Sequence, residues 1–116
     1  MNALVVINGA AYGCDATFNA IRLATSLSSR DGVVTHVFLL GDGVTCAVAG
    51  QTVPNGYYHL DRMLAAIIRR GGEVACCGTC LSARGLAEEL LIDKAQVSTM
   101  DHLADWTLEA DKVLVF

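Results

Sequence analysis

At 116 residues, 53% apolar and 17% charged, the chain is sized for one domain whose core needs no metal or disulfide staple. A net charge of −4 without a basic stripe excludes a reader of phosphate backbones, so no direct nucleic-acid binding is expected. No apolar run reaches the roughly 18 residues of a membrane span, and Met1–Ile7 lacks the charged opening of a signal peptide, so a cytoplasmic protein with no membrane partner is expected.

Leu4–Ile7 is an apolar, β-branched run stopped by Asn8-Gly9, which reads as a first buried strand. The loop Asn8–Cys14 follows, then Asp15 as N-cap of a helix whose inner face is Phe18, Ile21, Ala24 and Leu27, stopped by Asp31-Gly32. Val33–Leu40 is a second strand, continuous in Val, Phe and Leu as parallel strands covered on both faces are. Gly41-Asp42-Gly43 is its strand-end loop, with a short helical piece near Val44–Ala49. The long loop Gln51–Tyr57 holds the single proline.

Leu60, Met63, Leu64, Ile67 and Ile68 fall at i, i+3, i+4, i+7 and i+8, the clearest amphipathic helix of the chain, closed by Arg69-Arg70 and Gly71-Gly72. Glu73–Cys77 is a third strand. A cysteine-bearing turn follows, with helix expected over Leu86–Leu91 and a short edge strand over Ala95–Val97. Ser98–Asp101 has the form of a capping box with Asp in place of Glu, ahead of a last helix facing inward through Leu103, Trp106, Thr107 and Ala110. Lys112–Phe116 is a final apolar strand.

Strands alternating with helices over short connections specify an α/β protein of one domain, residues 1–116. The expected architecture is a doubly wound, mostly parallel five-stranded sheet with helices on both faces, as in flavodoxins. A flavodoxin-like order 2-1-3-4-5 makes strands one and three neighbours. The crevice at their carboxyl ends is then lined by Asn8–Cys14 and Cys77–Cys80, with Gly41–Asp42 as a third wall. The apolar excess also favours a homo-oligomer.

Five cysteines, an odd count, point to catalysis or redox work rather than to a disulfide framework in a reducing compartment. Cys77 ends a strand beside Gly78, ahead of a helix N-terminus and Arg84, all of which favour a thiolate; the bland reading is a buried cysteine acting as a small hydrophobe. Cys80 completes a C-x-x-C that fits a reversible disulfide, a second sulfur carrier or half a zinc site. No second C-x-x-C or H-x-x-x-H supplies the other half, so no metal and no cofactor are expected. Cys76 alternates to the other face of the strand and packs in the core. Cys14, at a helix start in the crevice loop, reads better as core or surface-neutral than as a reagent, and Cys46 as structural. His36 and His102 read as structural or solvated. Nothing demands a role for His59. The first loop has neither G-x-G-x-x-G nor a P-loop lysine, and Asp15 would repel a phosphate there.

Asn8-Gly9-x-x-Tyr12-Gly13, Arg22-Leu23-Ala24, Cys77-Gly78-Thr79-Cys80-x-x-Ala83-Arg84-Gly85 and Trp106-Thr107-Leu108-x-Ala110-Asp111-Lys112-Val113-Leu114 resemble the DsrE/DsrF-like family, in particular its branch of small YchN-type proteins. The resemblance runs from the first strand to the last residues. It implies a doubly wound parallel α/β fold, assembly as a hexamer, and sulfur relay in which a cysteine persulfide is passed between donor and acceptor proteins. Carried over by motif, the sulfur-accepting cysteine falls on Cys77. The chain departs from dedicated relay subunits in carrying Cys80, which would clear the persulfide or act as a secondary site. Asn8, Gly9, Tyr12, Asp42, Gly78, Thr79 and Arg84 are the residues expected to line the site, with Arg84 and the turn's N–H groups stabilising the sulfur. The alternatives are an oligomeric small-molecule-binding module and a thiol–disulfide redox module using Cys77 and Cys80.

Overall fold

In a computed structural model, which describes residues 1–116, each apolar run becomes a strand and each segment of helical period a helix: β1 (Asn2–Ile7), α1 (Asp15–Ser28), β2 (Val34–Leu39), α2 (Leu60–Arg69), β3 (Glu73–Cys77), α3 (Gly78–Ala83), β4 (Gln96–Ser98), α4 (Met100–Glu109) and β5 (Lys112–Val115). A 3₁₀ segment, Gly41–Ala47, follows β2. All strand pairings are parallel. The fold is α/β, and no helix is long and apolar enough to cross a membrane.

The strand order is β4-β3-β2-β1-β5, not 2-1-3-4-5. β2 therefore separates β1 from β3, and the two loops expected to face each other across one crevice lie on either side of it. Periodicity reveals strands and their direction but not their neighbours. The continuous Val37-Phe38-Leu39 run, fully buried, suits the sheet's middle as well as any other place covered on both faces.

β1 to β4 step in one direction, so right-handed crossovers put α1, α2 and the β3–β4 connection on one face. Asp93 and Lys94 of that connection accordingly line a cavity with Ala65, Ile68 and Arg69 of α2. The return from β4 to β5 carries α4 across the other face. Trp106 stacks on His36, with ring centroids 4.6 Å apart, and meets Phe38 edge-on. The direction of winding thus reverses between β3 and β4, and that is the topological switch point.

α1 approaches the sheet through Ala20, Ile21 and Ala24, whose small side chains permit a close fit; α2 buries Leu60, Leu64 and Ile67. Each buried Leu or Ile contributes about 1.5–3 kcal/mol. The N-cap of α1 is Cys14, with Asp15 already inside the helix. Thr99 caps α4, its hydroxyl accepting the His102 N–H at 3.2 Å. Over the expected helix Leu86–Leu91 there is only a 3₁₀ turn, Glu88–Leu90. Beyond the turn's own bonds, the Ala49 and Ile92 N–H groups bond to Leu90 and Ala47 carbonyls, tying this stretch to the chain after β2. β5 is an edge strand whose Val113 and Val115 remain exposed.

Gly43 anchors the 3₁₀ segment against the end of β1: a Cβ there would sit 2.3 Å from the Ile7 carbonyl oxygen. Gly43→Ala should lower stability by about 1–3 kcal/mol, read as a reduced urea midpoint at unchanged slope.

Candidate functional site

Cys77 is at once the last residue of β3 and the N-cap of α3. With only one residue shared between strand and helix, its sulfur is set down over the first turn of the helix. It accepts the Cys80 N–H at 3.3 Å and lies 3.3 Å from the Thr79 hydroxyl. Cys77 is 9% exposed, Cys80 is half-buried and Thr79 is open to solvent, so the sulfur sits at the rim of the core beside polar groups. Gly78 lets β4 close on this turn, since a Cβ there would lie 3.2 Å from both the Ser98 carbonyl oxygen and a Val97 methyl.

Burial pushes the Cys77 thiol up, but the hydrogen bonds offered by Cys80 and Thr79, side chain and backbone alike, outweigh it and hold the thiol below its ordinary range. Burial raises Cys80, as does its bond to Cys77; the Gly41 N–H and the Arg84 charge oppose this without reversing it. The pair is therefore asymmetric: the charge belongs on Cys77, with Cys80 as its proton-bearing neighbour.

Arg84 touches neither sulfur. Its Nε and Nη2 donate to Asp42 Oδ1 at 3.0 and 2.7 Å, and its Nη1 to the Cys80 carbonyl at 3.0 Å. At its exposure this ion pair is worth little in stability; its effect is geometric. It clamps the 3₁₀ segment to α3, where the Gly41 N–H donates to Cys80 Sγ at 3.2 Å.

Asn8, Gly9 and Tyr12 gather elsewhere, at the carboxyl end of β1. The Asn8 side chain and backbone N–H both donate to the Phe116 carbonyl, at 2.9 and 3.0 Å. Tyr12 accepts the Leu60 N–H through its hydroxyl at 3.4 Å. Gly41 stands between the groups: a Cβ there would lie 3.8 Å from the Asn8 carbonyl oxygen, while its N–H reaches Cys80.

Cys46 and Cys76 are core residues, their thiols pushed up to about 12 by burial first. No three His, Cys, Asp or Glu side chains gather closely enough to hold a metal. Gly41, expected with Asp42 as a third wall, contributes through its N–H. Ser98, the register partner of Cys77 whose hydroxyl meets His102 of α4, was not singled out from sequence and follows from strand order.

The full chain, residues 1–116, matches the model of the DsrE/DsrF-like family. It is 39% identical to protein YchN of Escherichia coli over 114 residues, 97% of each chain, and 37% identical to an uncharacterised protein of Methanopyrus kandleri over 97% of this chain and 91% of the other. The crystal structure of the E. coli YchN protein superposes with a TM-score of 0.90 at 38% identity, covering both chains fully. A protein of unknown function from Methanobacterium thermoautotrophicum shares the fold, with a TM-score of 0.76 at 13% identity over 99% and 98% of the two chains.

The hydrogen bonds onto Cys77 make a pH prediction. Donors to the sulfur favour the thiolate, so iodoacetamide should alkylate Cys77 with a midpoint below the roughly 8.5 of a free thiol. Thr79→Val removes one hydrogen-bond partner of the sulfur and should move that midpoint up. Mass mapping of the labelled peptide against pH checks both.

Proposed function

The chain belongs to the DsrE/DsrF-like family, and from that premise we propose that it carries sulfur as a persulfide on Cys77 and passes it to an acceptor thiol. The family supports a role of the sulfur-relay kind. The observation that carries the finer reading is the asymmetric pair: a sulfur at the rim of the core that accepts the Cys80 N–H and meets the Thr79 hydroxyl, beside a second thiol that keeps its proton.

The chemistry is attack of the Cys77 thiolate on the outer sulfur of a donor persulfide, forming the Cys77 S–S bond and releasing the donor thiolate. The Cys80 and Thr79 donors then face the transferred sulfur. Attack of an acceptor thiolate on that sulfur regenerates Cys77. Attack of Cys80 on Cys77 Sγ instead expels hydrosulfide and leaves a disulfide, which connects the relay to the thiol–disulfide reading of the same pair. The donor and acceptor are proteins that present their own cysteines. Exposed Val113, Val115 and Leu108 support a contact between copies of the chain, and the family resemblance implies that the assembly is a homohexamer.

Cys77→Ser should abolish loading by a persulfide donor at this site, read as loss of one added sulfur on the Cys77 peptide. Cys80→Ser should still load, and should hold the sulfur about tenfold longer because the intramolecular exit is gone. Loading undiminished in Cys77→Ser would remove the proposal. Loading in the wild type that always ends as a Cys77–Cys80 disulfide, with no transfer to an added thiol, would assign the pair to redox work instead.

A further inference from the structure

α1 and α3 share the identity of two positions: each has a cysteine as N-cap and a thiol or hydroxyl at the third helical position, Cys77 and Cys80 in α3, Cys14 and Thr17 in α1, although only Cys77 accepts a helix N–H. These are the two positions that a capping box couples. C-D-A-T after β1 is thus the counterpart of C-G-T-C after β3, with a hydroxyl where the second thiol stands.

Thr17 is the independent sign that this is more than a helix start. It is 1% exposed, and its hydroxyl has no hydrogen-bond partner. Two less buried helical threonines satisfy themselves on the carbonyl four residues back: Thr25 on Ile21 and Thr107 on Leu103, both at 2.7 Å. Thr17 has no helical carbonyl at that distance, because residue 13 precedes the helix. Its oxygen faces Cys14 instead. Thr17 Oγ1 and Cys14 Sγ lie 2.3 and 2.8 Å from the point where a Gly9 side chain would begin, so the glycine is what allows the two to approach. An unpaired buried hydroxyl costs about 1–3 kcal/mol, and a polar ligand atom on Cys14 would satisfy it.

We infer that Cys14 is a second sulfur-accepting thiol, which takes the outer sulfur of a low-molecular-weight persulfide and holds it against the Thr17 hydroxyl at the start of α1. In the step, the Cys14 thiolate attacks the outer sulfur of R–S–SH. The Cys14 S–S bond forms, the R–S bond to that sulfur breaks, the transferred sulfur keeps its proton, and RS⁻ leaves with the electron pair. No oxidant or reductant is consumed.

The surroundings suit the step. Cys14 is half-buried rather than enclosed. The neighbouring thiol, Cys46, is buried, donates to the Gly9 carbonyl at 3.9 Å and is held up at about 12, so it does not resolve the persulfide. With Thr17 in place of a second cysteine, the helix start has no intramolecular exit. Cys14 is a holding site where Cys77 is a transit site. The inference shares the substrate class of the proposed function and none of its residues.

The test uses the full chain with Cys77→Ser and Cys80→Ser, exposed to glutathione persulfide at pH 7, quenched with iodoacetamide and mapped by mass. One sulfur should appear on the Cys14 peptide, at about threefold or more the rate of N-acetylcysteine. Adding Thr17→Val should slow this about threefold while leaving the melting temperature unchanged or higher, because the methyl replaces an unpaired hydroxyl. No sulfur on Cys14, a rate no greater than that of N-acetylcysteine, or a Thr17→Val rate equal to its parent would each overturn the inference. In the wild-type chain the Cys77 and Cys14 peptides are read separately, so failure at one is distinct from failure at the other.

Discussion

The site depends on one hydrogen bond, from the Cys80 N–H to the Cys77 sulfur. A helix start leaves its first N–H groups without intrahelical partners, and an N-cap side chain normally answers one of them with oxygen. Here a sulfur at the end of β3 does so. The same contact that begins α3 also favours the anionic form of that sulfur, so the helix start and the lowered pKa of Cys77 share a cause.

What surrounds that bond is arranged to keep the chain close to it. Gly78 admits β4, Gly43 admits the end of β1, and the Asp42–Arg84 pair holds the 3₁₀ segment where Gly41 meets Cys80. Three elements distant in sequence thus converge on two sulfurs. The apolar sheet below supplies rigidity. Residues such as Val74, Ala75 and Cys76 are inaccessible, and a core packed to this degree fixes the strand end within narrow limits.

The two N-cap cysteines illustrate how a small change in a neighbour alters chemistry. Cys80 gives Cys77 an N–H donor and a second thiol; Thr17 leaves an unpaired hydroxyl near Cys14 and no second thiol at that position. The parallel became visible only with helix boundaries in place, since Asp15 reads more naturally as the cap of α1 than Cys14 does. Likewise Arg84, which the sequence places one turn beyond Cys80, reaches past the sulfurs to Asp42.

The sequence by itself determined the elements. Apolar runs of Val, Ile, Leu and Phe, the helical spacing from Leu60 to Ile68 and the glycine stops carry their local physics with them, and Glu73–Cys77 emerges with its expected ends. It also marked Cys77, because a cysteine before glycine at a strand end is a local pattern. Strand order was decided only by the tertiary structure: parallel strands with similar apolar content exchange places without any change in periodicity. With the order β4-β3-β2-β1-β5 came Ser98 beside Cys77, Gly41 on Cys80, and Asn8 and Tyr12 on the far side of β2. Those are contacts between segments tens of residues apart, settled by how the whole core packs and not by any one stretch of the chain.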